Sequence, residues 1–214
     1  SPVALATTSA TAASQTTAQV IYDRSDEQEV ERLLNDTSLR TSLDFARRLK
    51  GRPYVAATLE VADPERLVVN LRGLDCATLV ETASALAMTR REGKRRFADY
   101  CRNLERLRYF DGHVAGYTSR LHYLSFWMAD HLRRKTIEEV VLPTNLTQPL
   151  HVDLHYMSRH AESYPMLRNH PERVREIARL ERKYSGNVGR FIPKKNVDLS
   201  RNELGAIHDG DVIA

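Results

Sequence analysis

The chain has 214 residues, 42% apolar and 28% charged, with 32 basic against 28 acidic side chains and a net charge of +4. This fits a soluble globular protein of one large or two small domains that buries a real core. Cys76 and Cys101 are the only cysteines, which excludes a disulfide scaffold, and no apolar run approaches the roughly 20 residues of a membrane-spanning helix. The mild positive excess permits attraction to anionic polymers or membrane surfaces without requiring it.

Residues 1–20 are a Thr/Ser/Ala/Gln stretch that cannot build a core. They predict a flexible leader, of the kind left when a signal peptide is removed or a chain is trimmed, ahead of a domain over 21–214. From Asp26 to Lys50 the apolar spacing predicts one or two helices, with Val30, Leu33 and Leu34 in one patch and Leu39, Leu43, Ala46 and Leu49 in another. Gly51-Arg52-Pro53 stops that pattern. Tyr54–Leu59 and Leu67–Val69 are short extended runs, separated by a turn at Asp63-Pro64-Glu65.

A central helix is predicted from Cys76 to Arg90, with Asp75 as its N-cap and Leu79, Ala83, Leu86 and Ala87 as a buried stripe. Another runs from Gly93 to Leu107, turning Phe97, Tyr100, Cys101, Leu104 and Leu107 inward and leaving Glu105, Arg106 and Arg108 in solvent. Asp111-Gly112-His113 signals a hairpin or tight turn. Leu121–Arg134 predicts a helix, Ile137–Leu142 a strand, 143–149 a loop, and His151–Leu154 an extended piece. A short helix and turn over Arg159–His170 precede a charged helix over Pro171–Tyr184, whose proline suits its first turn, and Ser185-Gly186-Asn187 ends it. Phe191-Ile192-Pro193 is extended, and the turn Asp209-Gly210-Asp211 leads into a strand at Val212-Ile213-Ala214. The helix-rich part thus spans about 76–182, and a strand opening on the last three residues predicts a C-terminally incomplete domain.

Chemistry concentrates at Asp75-Cys76-Ala77-Thr78. A cysteine in the first turn of a helix meets unpaired backbone N–H groups and the positive end of the helix dipole, which favour thiolate over thiol. The same groups are placed to meet a developing oxyanion, and small Ala77 leaves room for a substrate. The alternative is a buried structural cysteine, the reading that fits Cys101 in mid-helix. A thiolate nucleophile also needs a proton acceptor, and spacing does not choose among the eight histidines, His122, His151, His155 and His208 included. His151 and His155 have helical spacing inside an extended stretch, and no paired Cys/His cluster occurs, so neither a metal nor another cofactor is expected. Arg47-Arg48, Arg90-Arg91, Lys94-Arg95-Arg96 and Arg133-Arg134-Lys135 are scattered among acids, which argues for solvated faces and against nucleic acid as a partner.

Gly51-Arg52-Pro53-Tyr54-Val55-Ala56 followed by Gly73-Leu74-Asp75-Cys76-Ala77-Thr78-Leu79-Val80 resembles the NlpC/P60 class of cell-wall hydrolases, a papain-like superfamily. With Leu67-Val68-Val69-Asn70-Leu71, Gly116-Tyr117-Thr118-Ser119-Arg120-Leu121-His122-Tyr123 and Asp209-Gly210-Asp211-Val212-Ile213-Ala214, the likeness is to the N-acetylmuramoyl-L-alanine amidase-like family, DUF1460, over about 40–214. The resemblance implies an α+β, papain-like cysteine hydrolase fold with a helix-rich accessory region. It implies Cys76 as nucleophile and Tyr54 as a hydroxyl donor near the attacked carbonyl, with Ser119, Arg120 and His122 as substrate-binding residues. The implied substrate is peptidoglycan or a muropeptide, cleaved between N-acetylmuramic acid and L-alanine without a metal, in the periplasm or outside the cell. A gamma-D-glutamyl endopeptidase and a non-catalytic cell-wall binding or structural module are the alternatives. The family's histidine base starts the strand after the Gly-Asp turn, which has no counterpart before Ala214. The resemblance therefore places that histidine beyond Ala214 and leaves this stretch of chain without its base.

Overall fold

A computed structural model describes residues 20–197 and 204–213. The expected leader lies outside the described residues apart from Val20, as does Ala214 of the expected terminal strand. The fold is mixed α+β. It divides into two compact units, one comprising residues up to Ala62 together with Arg66–Glu105, the other Asp63–Glu65 together with residues from Arg106 onward.

In the first unit the predicted helical stretch is two helices, α1 (Arg24–Asn35) and α2 (Ser42–Leu49). Reciprocal capping decides both starts. The Asp44 N–H donates to Thr41 Oγ1 at 3.1 Å while the Thr41 N–H donates to Asp44 Oδ2 at 2.9 Å, and Asp23 and Asp26 form the corresponding pair at α1. Val30, Leu33, Leu34, Phe45 and Leu49 are buried. β1 (Val20–Ile21) and β2 (Leu67–Val68) pair in parallel, Val20 opposite Leu67. No strand forms over Tyr54–Leu59. Its only ladder contact is a single parallel bridge between Tyr54 and Leu74.

α3 (Cys76–Arg91) starts on the expected residue. Its buried surface is wider than the expected stripe. Glu81, Thr82, Ala85 and Thr89 are buried along with Ala83, Leu86 and Ala87, because both α1 and α2 pack on it. Small Ala and Thr side chains permit that close approach. Thr89 satisfies its hydroxyl locally, donating to the Ala85 carbonyl at 2.7 Å and accepting from Asn103 Nδ2 at 3.0 Å. α4 (Phe97–Arg108) turns Phe97, Tyr100, Cys101, Leu104 and Leu107 inward as predicted, and its last residues belong to the second unit. Arg108 departs from expectation. It is buried rather than solvated, its charge set beside the phenol of Tyr109.

In the second unit, α5 (Leu124–Arg133) begins three residues later than its apolar pattern suggests. Leu121 is held out of the helix because its N–H donates to the Arg108 carbonyl at 2.9 Å, next to an antiparallel bridge between Tyr109 and Arg120. The chain between them makes a tight turn at Asp111 and Gly112, both with positive φ (55° and 83°), a conformation that Gly112 adopts freely. Residues 137–142 form no strand: Val140 and Val141 are exposed, and among the described residues no strand pairs with them. Strand structure falls instead on β3 (Gln148–Val152), antiparallel to β4 (Gly186–Phe191), with the register broken between Leu150 and His151. β4 takes up the residues expected only to end a helix, directly after α7 (Pro171–Tyr184); the one-turn α6 (Tyr156–Arg159) precedes them. Val212 and Ile213 carry no strand assignment, although the Asp209-Gly210 turn is present. Phe126, Met157, Leu167, Ile177 and Leu180 make up much of this unit's core with Tyr117 and Leu121.

One buried carboxylate links the first unit's helices to its connecting chain. Asp26 is 1% exposed. Its Oδ2 accepts from the Asp23 N–H at 3.2 Å, and its Oδ1 accepts from the buried Leu71 N–H at 2.9 Å, 45 residues away. Arg72 lies 3.4 Å from the same carboxylate. Removing the acceptor would leave the Leu71 N–H buried without a partner. Asp26→Ala is therefore expected to destabilise the first unit by about 2 to 3 kcal/mol, read as a lowered urea midpoint by circular dichroism at 222 nm. An unchanged midpoint would show that the Leu71 amide finds another acceptor.

Candidate active site

The residues before α3 present Cys76 in three steps. Asn70 Oδ1 accepts from the N–H groups of Arg72 (3.0 Å) and Gly73 (3.3 Å), turning the chain after Leu71. Leu74 then docks on the Tyr54 segment: its N–H donates to the Pro53 carbonyl at 3.1 Å, and its carbonyl accepts from the Val55 N–H at 3.2 Å. Asp75 closes the start of the helix. Its Oδ1 accepts from the Thr78 N–H at 2.8 Å, and its own N–H donates to Thr78 Oγ1 at 2.9 Å.

Cys76 is the first residue of α3, and its thiol is free and exposed. The cap takes the Thr78 N–H, and the first helical bond takes the Leu79 N–H, which donates to the Asp75 carbonyl at 2.9 Å. The N–H groups of Cys76 and Ala77 have no acceptor among the described residues, and Ala77 is exposed beside them. A thiol and two adjacent uncommitted donors thus stand together at one helix end, which is what nucleophilic attack on a carbonyl with stabilisation of its oxyanion uses. Tyr54 is 74% exposed, and its backbone pairs with Leu74, two residues before Cys76. Cys101 is free too, but buried within α4, as expected of a packing residue.

Ser119, Arg120 and His122 belong to the second unit. Ser119 Oγ accepts from the Ala115 N–H at 2.9 Å and donates to the Gly116 carbonyl at 2.7 Å. Arg120 is 4% exposed, 3.6 Å from Glu65 Oε1, with its guanidinium 5.0 Å from the centre of the Tyr117 ring. Glu65 also accepts from the Tyr109 hydroxyl at 2.9 Å, and burial together with that carboxylate holds the Tyr109 phenol well above its ordinary range. Sequence reasoning did not single out Glu65 or Tyr109, since an acid and a phenol 44 residues apart carry no joint pattern.

His122 Nε2 lies 2.8 Å from the Tyr117 carbonyl and must donate to it, which leaves Nδ1 as the acceptor nitrogen. Burial, reinforced by the Arg120 charge, pushes the imidazole down from 6.5 to about 3. His131 is depressed mainly by burial, and both its nitrogens are engaged, by Thr136 Oγ1 at 2.6 Å and the Leu107 carbonyl at 2.9 Å. His208 lines an open groove of about 610 Å³ with Lys135, Glu138 and Asp211. All eight histidines of the chain occur at position 113 or later, and none belongs to the unit that holds Cys76. Among the described residues no group of three or more His, Cys, Asp or Glu is placed to hold a metal ion, and no helix is long and apolar enough to cross a membrane.

A mixed α+β fold with a helical accessory region, opening its central helix on an exposed cysteine, defines the papain-like NlpC/P60 type. The chain belongs to the AmiA-like family, described as N-acetylmuramoyl-L-alanine amidase-like, whose model matches residues 44–214. A crystal structure of an N-acetylmuramoyl-L-alanine amidase from Bacteroides uniformis is 32% identical, with a TM-score of 0.64, covering 79% of this chain and 69% of that one. A Bacteroides fragilis structure provisionally described as a xylanase is 39% identical, with a TM-score of 0.64, covering 73% of this chain and 67% of that one. A DUF1460 protein from Legionella pneumophila, 16% identical with a TM-score of 0.59 over 91% of this chain and 72% of that one, shares the fold. No curated protein matches the chain.

The neutral state of His122 has a consequence for stability. Between pH 6.5 and about 3 the unfolded imidazole binds a proton that the folded one refuses, so the fold loses stability as the pH falls through that window. His122→Gln keeps an N–H for the Tyr117 carbonyl and cannot titrate. Its urea midpoint is expected to decline less than the parent's from pH 6.5 downward; parallel declines would show that His122 protonates freely in the folded state.

Proposed function

We propose that this chain is a cysteine-dependent amidase of peptidoglycan, and that the bond it cleaves joins the lactyl group of N-acetylmuramic acid to L-alanine. The observation that carries the reading is the exposed Cys76 thiol at the first residue of α3, beside the uncommitted N–H groups of Cys76 and Ala77. The family's description and the B. uniformis amidase support the choice of bond. Asp75, the carboxylate adjoining Cys76, is engaged with the Thr78 N–H, so it is not a free member of the carboxylate pair a glycosidase uses.

In this mechanism the Cys76 sulfur attacks the lactyl carbonyl carbon, and the carbonyl electron pair moves to oxygen. The Cys76 and Ala77 N–H groups hold that oxyanion, with the Tyr54 hydroxyl as a further donor. Collapse breaks the carbon–nitrogen bond. An imidazole takes the Cys76 thiol proton as the sulfur attacks and passes it to the L-alanine nitrogen as that nitrogen leaves, and the muramyl lactyl group remains as a thioester on Cys76. The same imidazole then takes a proton from water, whose oxygen displaces the thiolate. Ser119, Arg120 and His122 stand as polar substrate contacts in this reading, as the resemblance implies. The substrate places the protein in the periplasm or outside the cell.

Incubation with disaccharide-tetrapeptide muropeptides tests the reading. The parent is expected to release free stem peptide, detected by mass. Cys76→Ala is expected to lose at least about 10³-fold in rate, and Tyr54→Phe about 10²-fold in kcat. Equal release by parent and Cys76→Ala would remove the nucleophile from Cys76. Products cut within the stem peptide would make the enzyme a gamma-D-glutamyl endopeptidase acting through the same thiol.

A further inference from the structure

Gly73 is buried and lies outside the left-handed region of φ, so backbone conformation does not demand glycine there. Space does. A Cβ on Gly73 would stand 2.6 Å from Val55 Cγ2 and 3.0 Å from Val55 Cβ. Rotating χ1 of Val55 would move its γ-carbons but not its Cβ, so a side-chain adjustment alone cannot make room. The backbone would have to move. The Val55 backbone is tied in turn to Leu74 by an N–H to carbonyl bond of 3.2 Å, and the Leu74 N–H returns to Pro53 at 3.1 Å. One of these two chain segments carries Tyr54, and the other runs straight into Asp75 and Cys76.

We propose that Gly73 is a positioning residue for the Cys76 site. Its missing side chain lets the Pro53–Val55 segment lie against the chain entering α3, and so sets where Tyr54 stands relative to the thiol. The inference rests on the reading of Cys76 and Tyr54 as the acting groups. It goes beyond that reading because Gly73 touches neither the substrate nor the reacting atoms. Its role is the spacing between two segments that carry them. Displacements of about 1 Å at a catalytic constellation cost about 10²-fold in rate, so a shift of a few tenths of an ångström costs several-fold; the 2.6 Å γ-carbon contact can rotate away, and the 3.0 Å Cβ contact requires a backbone shift of that smaller size.

Three variants test this: Gly73→Ala, Val55→Gly, and the two combined, which moves the side chain from one segment to the other. Each is assayed for kcat and KM on a disaccharide-tetrapeptide muropeptide, for hydrogen exchange at the Val55 and Leu74 amides, and for its circular dichroism at the assay temperature. Gly73→Ala is expected to exchange faster at both amides and to lose about 5-fold in kcat with parental helix content and little change in KM. The combined variant is expected to recover both exchange protection and kcat toward the level of Val55→Gly alone. A general packing defect would instead lower helix content along with kcat. Parental kcat in Gly73→Ala, or a combined variant no better than Gly73→Ala, overturns the proposal. A Cys76→Ala variant as active as the parent would instead remove the nucleophile reading. Exchange at Val55 and Leu74 would then decide alone whether Gly73 sets the spacing.

Discussion

The Asp26 carboxylate is the constraint on which the first unit depends. It lies in the first turn of α1, where a carboxylate is favoured by the helix dipole and serves its own cap. Its second oxygen reaches the Leu71 amide and fixes the chain 45 residues on, just before the turn that delivers Cys76. A buried carboxylate is costly unless its lone pairs are filled, and here backbone donors fill both sides. The arrangement therefore tolerates little slack: α1 and the loop over Leu71 are located by the same charged group.

From that anchor the path to the thiol is a relay of short backbone contacts. Asn70 turns the chain, Leu74 exchanges two hydrogen bonds with the Tyr54 segment, and Asp75 caps α3. The cap divides the donors of the first turn. It takes the Thr78 N–H and leaves those of Cys76 and Ala77, so one feature both stabilises the helix and clears the groups that suit an oxyanion. The second unit uses polar groups differently. Glu65, Tyr109 and Arg120 are buried together and satisfy one another, while His122 is kept neutral by burial beside a cation.

Much of the helical architecture was legible because its signals are local. Asp75 before Cys76 and Pro171 at a helix start are cap and turn residues whose physics involves near neighbours. The inward set of α4 follows from its spacing. Strands were read less well. The β-branched residues of 137–142 suggested one where, among the described residues, no strand pairs, whereas Gln148–Val152 and Gly186–Phe191 pair despite a proline and two glycines, since a strand exists only by virtue of its partner. Arg108 was misplaced for the same reason. It is buried with its charge beside the Tyr109 phenol, which Glu65, 44 residues before Tyr109, engages.

By itself the sequence determined the helix that begins at Cys76, the cap that starts it, and the family likeness borne by the Pro53–Ala56 and Gly73–Val80 segments. Each rests on contacts within a few residues, which composition and spacing encode directly. Only the tertiary structure decided that Cys76 is exposed, that Asp26 holds Leu71, and that Gly73 makes room for Val55. Those outcomes depend on groups brought together across tens of residues by burial, and one-dimensional spacing carries no record of which distant side chain will fill a given space or meet a given donor.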